Sequence, residues 1–383
     1  MPARDRRLAV WLCAVVLTGC GKSATDLGEV GDTGPATQEV APEVLQTLLD
    51  RKVRLEQGLS GTVEFEVPAD AYTLTIVVEG DGTYTLDSWE DPDGVSLVRT
   101  GWIEDEGDWL CRSCLQRVGW SEEAFSTVAP NGPEVPITAG THRITIAGDW
   151  DERVGVTVLA KVADAPHEQG VLDLNLWFTG AYGWTAAVAE QDAHLAEVLD
   201  YVDMLYGKAG LSLGDHLYLD LDERWQNIES TWGNDNDMAE LLRQSESAPR
   251  NALNVFFVDE LYSAGVSDFG SGSLIIGVSG GTPGPVLVQG TSSSGVVVST
   301  WSTLSVSESQ RWAPALAGTV AHEVGHFLGL EHTTEYDGTP DGLPDTPDDD
   351  RSYLMHWDPD PTEGKFSEFQ GQMLLQNPWV RHP

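Results

Sequence analysis

Cysteine is scarce in this 383-residue sequence: there are four, and none follows Cys114. Cys111 and Cys114 are the only pair outside the first twenty residues. Two thiols are too few for an all-cysteine zinc site, and nothing nearby adds soft ligands. A local C-x-x-C disulfide is expected, or else one free thiolate that caps a metal elsewhere in the chain. Basic residues are scarce as well, with 21 Lys and Arg against 61 Asp and Glu and a formal net charge of −40. Such a surface repels nucleic acid and anionic membranes and keeps a secreted protein soluble. Long apolar runs are nearly absent; residues 8–17 form one, and it is too short to span a bilayer.

That run follows Arg4, Arg6 and Arg7 and precedes small residues, the pattern of a secretory leader. Leu17-Thr18-Gly19-Cys20 resembles a bacterial lipobox. The resemblance implies that residues 1–20 are a lipoprotein-type signal and that Cys20 carries lipid. Gly21 after it implies the outer membrane or cell surface; without lipid the protein would be secreted.

Residues 21–59 are rich in Gly, Thr, Pro and acidic side chains, so a flexible tether is expected, with a short helix over 44–55. Apolar residues then alternate at Val63, Phe65, Val67, at Leu74, Ile76, Val78, and at Val154, Val156, Val158. Period two broken by Gly and Pro turns predicts an antiparallel β-sandwich over 60–165. From 166 to 383 the pattern becomes mixed, and an α+β domain is expected. Its strands fall near 171–178, 217–221, 253–258 and 296–298, and an amphipathic helix over 185–206 packs on the sheet.

The chemistry is concentrated in Thr319-Val-Ala-His-Glu-Val-Gly-His-Phe-Leu-Gly-Leu-Glu-His332. His322 and His326 are four apart, so a helix starting near Pro314 presents both on one face. Glu323 stands beside them, where a base for an attacking water belongs. Gly329 is a natural helix stop and lets the chain return His332 as a third ligand. Three protein ligands leave one tetrahedral position open, which marks a catalytic zinc site. Further on, Asp341, Asp345 and Asp348 lie among six aspartates within 14 residues, oxygen ligands suited to calcium or simply a solvated loop.

The motif resembles HExxHxxGxxH of the metzincin zinc peptidases at every fixed position, and Met355 lies where their Met-turn belongs. Asp345-Thr346-Pro347 and the segment 366–373 are most similar to the pappalysin branch. The resemblance implies a metzincin-type mixed twisted sheet with helices and hydrolysis of peptide bonds by a Glu323-activated water at zinc. It also implies a protein or peptide substrate bound in extended form, with residues 274–285 as the rim. Trp357 departs from the branch, which usually carries tyrosine there. Two other readings stay open: a surface module that retains zinc without chemistry, and a zinc hydrolase of a non-peptide substrate.

Overall fold

The computed structural model describes residues 44–98, 121–132, 137–229, 236–262, 274–300, 312–336, 338–346, 349–359 and 364–382. The expected leader with Cys20 and the pair Cys111 and Cys114 lie outside them.

The first strands are β1 (Val44–Glu56) and β2 (Leu59–Ser60), a hairpin turned at Gln57-Gly58, both at positive φ. This corrects the tether and helix expected there. Paired left-handed residues make the two-residue turn that suits strand twist, and β1 then gains a partner about a hundred positions away in β7 (Arg153–Val162). The remaining strands are β3 (Val63–Val67), β4 (Ala71–Glu90), β5 (Ser121–Ala129) and β6 (Gly140–Gly148).

All seven form one antiparallel sheet rather than two facing ones. The twenty-residue β4 explains this, because its first half pairs with β7 as far as Glu79 and its second half with β6 from Tyr84 onward. The inner face holds the alternating residues Leu74, Ile76, Val78, Ile144, Ile146, Val156 and Val158.

The mixed α+β half carries β8 (Gly170–Phe178), β9 (Leu211–Asp220), β11 (Leu253–Val258) and β15 (Val296–Ser299) in parallel. Along the edge of β15 runs the antiparallel β14 (Gly277–Ser279). Beside them, β10 (Asn227–Glu229), β12 (Glu260–Tyr262) and β13 (Leu274–Ile275) make a small second sheet. β16 (Val380–Arg381) pairs back on β8 at Leu172 and Val171.

The helix expected over 185–206 is divided into α1 (Ala186–Ala189) and α2 (Ala193–Gly207), because Asp192 caps α2 by accepting the N–H groups of His194 and Leu195. After α3 (Asp237–Arg243), α4 (Trp312–Phe327) holds the histidine motif and packs on α2, where Tyr206 Oη donates to Ala321 O at 2.8 Å. A capping box at Ser367 and Gln370 opens α5 (Glu368–Gln376). Among the described residues no helix is long and apolar enough to cross a membrane.

Part of the outer face of the N-terminal sheet is covered. Val77, Ala124, Val128 and Leu159 belong to the same buried cluster as Leu174, Leu316 and Val320 of the α+β half. Lys161, 1% exposed, reaches across to donate to Leu375 O (3.0 Å), Val380 O (2.7 Å) and His382 Nε2 (3.0 Å). A buried ammonium is tolerated only when its donors are met in this way.

Candidate active site

Helix α4 is apolar on nearly every side, so its fourth and fifth turns lie inside the protein with their polar side chains. It ends at Gly329, whose φ of +108 allows a reversal that a Cβ would strain. Gly329 N–H bonds to His326 O at 2.8 Å and Leu330 N–H to Gly325 O at 3.0 Å, a Schellman closure that turns the chain back beneath the helix. His332 thereby comes to face His322 and His326.

The three Nε2 atoms lie 3.1 to 3.2 Å from one another. Each Nδ1–H is already engaged: His322 donates to Leu354 O at 2.7 Å, His326 to Leu330 O at 2.7 Å and His332 to Glu335 Oε2 at 2.9 Å. With Nδ1 protonated, every Nε2 presents a lone pair, and three lone pairs aimed at one point repel unless a cation lies between them. Zn–N bonds of about 2.0–2.1 Å at tetrahedral angles need ligand nitrogens about 3.3 Å apart, so the donor set fits zinc. Burial, then the neighbouring His332, pushes His322 down to about 4. Burial, then His322 and His332, lowers His326 well below the ordinary range. Both rings are thus held neutral, the form a metal binds.

Glu323 lies against the backbone of β14. A Cβ at Gly277 would fall 2.6 Å from Glu323 Cγ, so only glycine permits this approach. Burial pushes the carboxyl up to about 8, opposed by the N–H of Ser279. A cation at the histidines acts in the same sense as that N–H and favours the carboxylate. The cleft beside these residues has a volume of about 760 Å³. It runs between residues 275–279 on one side and Arg351, Trp357 and Pro359 on the other.

Residues 288–376 match the model of the M43 peptidase family, described as pregnancy-associated plasma protein-A. The match covers the three histidines, Glu323 and Met355. Over that stretch the chain matches a zinc metallopeptidase family. No curated protein matches the sequence. Among solved structures it is similar to metalloproteinase-II from Bacteroides fragilis, at 13% identity with a TM-score of 0.32. That match covers 57% of this chain and 61% of the other, less than two thirds of its length.

In the metallopeptidase domain Met355 is fully buried against Gly325 of α4. Its turn holds two ligand segments at once, since Leu354 O receives the His322 ring and Met355 O receives Thr333 N–H at 2.8 Å. Trp357 is 38% exposed in the cleft, with its ring edge-on to Tyr336 at 5.1 Å. Glu335 was not legible as a site residue, although an acid three positions after a ligand histidine is a usable signal. The carbonyls of Leu330 and Leu354 gave none, because any residue has one.

The calcium expectation finds no support in the described part of the acidic loop. Among the described residues, the one group of three potential ligands that converges is the histidine set. Asp341 accepts Leu343 N–H at 3.1 Å and the Thr346 hydroxyl, and burial pushes it up to about 7. Asp345 accepts Phe369 N–H at 3.0 Å in the first turn of α5. These carboxylates serve as acceptors for local backbone and side-chain donors; Asp348 lies outside the described residues.

The low histidine pKa values set a pH dependence. His322 titrates at about 4 when folded and at 6.5 as an isolated group, so its burial contributes stability that is present above pH 6.5 and lost as pH falls toward 4. Protons compete with zinc for the same lone pairs. Zinc content after equilibrium dialysis is expected to fall across this window together with melting temperature. Full zinc retention at pH 4 would contradict the ligand assignment.

Proposed function

We propose that the protein is a zinc-dependent endopeptidase of the cell envelope that binds a protein or peptide in extended form. The observation that carries this reading is the placement of Glu323 between three convergent imidazoles and the backbone of β14, within an open cleft. His322, His326 and His332 would hold zinc, which would supply a Lewis acid for the scissile carbonyl and for the charge that develops on its oxygen.

Glu323 takes a proton from the attacking water as the water oxygen bonds to the carbonyl carbon. It then delivers that proton to the amine nitrogen as the C–N bond breaks. Its burial keeps the carboxylate basic, and Ser279 N–H holds its orientation. Within the sheet β14 pairs with β15 alone among the described strands, which leaves an edge for main-chain pairing with a substrate strand. Trp357 itself brings no phenol to the cleft.

Anchorage through Cys20 at the outer membrane or cell surface belongs to the same proposal and rests on the lipobox-like residues 17–20. Cys20→Ser is expected to leave the membrane fraction. Cleavage-site profiling on a peptide library, with protein lacking residues 1–20, tests the activity itself. New termini are expected at internal positions, and zinc chelation is expected to abolish them. A zinc-loaded protein that cleaves no peptide would instead be a binding module or a hydrolase of another bond.

A further inference from the structure

Strand β5 of the N-terminal sheet carries two side chains that leave the sheet and hold the loop behind the cleft's rim. Ser126, 5% exposed, accepts the N–H of Val286 through Oγ at 2.7 Å. Glu123 takes Arg243 Nε at 2.9 Å and Nη2 at 2.6 Å, and accepts Ser292 N–H at 2.7 Å. Between these two attachments, Val286 and Val288 are buried in the cluster that includes Val77, Ala124 and Val128 of the sheet.

Glu123 stands where pairing shifts from Glu79–Ala124 to Thr83–Glu122, with φ at +62. A bulge re-aims a side chain, and a left-handed glutamate persists only where its surroundings over-determine it. An ion pair that merely joined two surfaces would need no such backbone.

The other end of the loop reaches the site. Gly284 N–H donates to Phe327 O at 3.0 Å, and a Cβ on Gly284 would lie 2.0 Å from the Phe327 ring, one residue past His326. Gly280 N–H donates to Gly295 O at 2.9 Å, and the preceding Ser279 donates to Glu323.

We propose that β5 is a brace for the peptide-binding rim, in which Glu123 and Ser126 are positioning residues that set residues 280–292, and through them β14, against α4. The inference rests on the reading of β14 as the strand that pairs with substrate. A rim that recognises peptide by main-chain bonds gains affinity from being fixed beforehand, because ordering it during binding costs free energy. Loss of the brace therefore acts on substrates long enough to lie along β14.

The test uses the full zinc-loaded chain with Ser126→Ala, Glu123→Ala and both together. Kinetics are read on an internally quenched peptide that spans the cleft and on a short substrate that does not reach β14, alongside amide hydrogen exchange. Expected in the double variant are zinc content and kcat within about twofold of wild type and a KM for the long peptide raised about tenfold. KM for the short substrate stays unchanged, while exchange quickens over 277–284, which neither side chain touches. Glu123→Gln with Ser126→Thr keeps both acceptors and is expected to restore most of the KM.

An unchanged KM for the long peptide with unchanged exchange over 277–284 overturns the brace, as does a fall in kcat and zinc with KM constant. Should Glu123→Ala fail to fold, exchange over 277–284 in Ser126→Ala alone decides, quickened in support and unaltered against. Should wild type cleave no peptide at all, the peptidase reading fails, and the exchange measurement still decides the brace.

Discussion

Glu323→Gln is expected to hold about one zinc per chain and yet turn over peptide roughly 10² to 10⁴ times more slowly than wild type. The loss corresponds to about 2.7 to 5.4 kcal/mol of transition-state stabilisation. Glutamine keeps the size and helix propensity of glutamate, and its amide oxygen still accepts Ser279 N–H. The three imidazoles are oriented through Leu354 O, Leu330 O and Glu335, none of which involves Glu323, so metal content should not follow turnover. A second signature appears without metal. The Glu323 carboxyl titrates at about 8 when folded against 4.5 as an isolated group, so its own contribution to stability is greatest below pH 4.5 and is lost as pH rises toward 8. The glutamine variant lacks this slope, so between pH 5 and pH 8 its metal-free melting temperature should fall less, or rise more, than that of wild type. Hydrolysis at wild-type speed with zinc at full occupancy would remove Glu323 from the mechanism.

Alanine at His322, His326 or His332 should instead abolish zinc retention and peptide hydrolysis together. Losing even an outer partner of a ligand weakens metal binding by roughly 10- to 100-fold, and losing one of three ligands weakens it further. The variants need not be less stable than metal-free wild type, because removing one ring relieves three lone pairs that face one another at 3.1 to 3.2 Å. What they lack is the gain from binding, about 2.7 kcal/mol when zinc is at 100 times its Kd. Thermal scans with and without zinc read this directly: wild type rises and the variants stay level. A histidine variant whose melting temperature rises with zinc as wild type does would show that the ion binds elsewhere.

The zinc motif was legible because its ligands are carried by side chains at local helical spacings, and α4 begins within two residues of the expected start. Its supports were less so. Leu330 and Leu354 act through carbonyls that any residue would offer, and Glu323 meets β14 only because Gly277 leaves room. In the N-terminal sheet the alternation of Leu74, Ile76 and Val78 marked one buried face. The opposite face of β4, with Thr73, Thr75 and Val77, is buried as well. Two threonines look like solvent-facing residues until the α+β half covers them. β1 was misread because its Leu and Val spacing suits a helix as well as a strand, and its partner β7 lies about a hundred residues further on.

Lys161 also ties the joining of the two halves to residues far along the chain. Its acceptors Leu375 O and Val380 O come 214 and 219 residues later. A chain lacking that segment would bring β7 against the α+β half without these two acceptors, and the seam between the halves would be weaker for it.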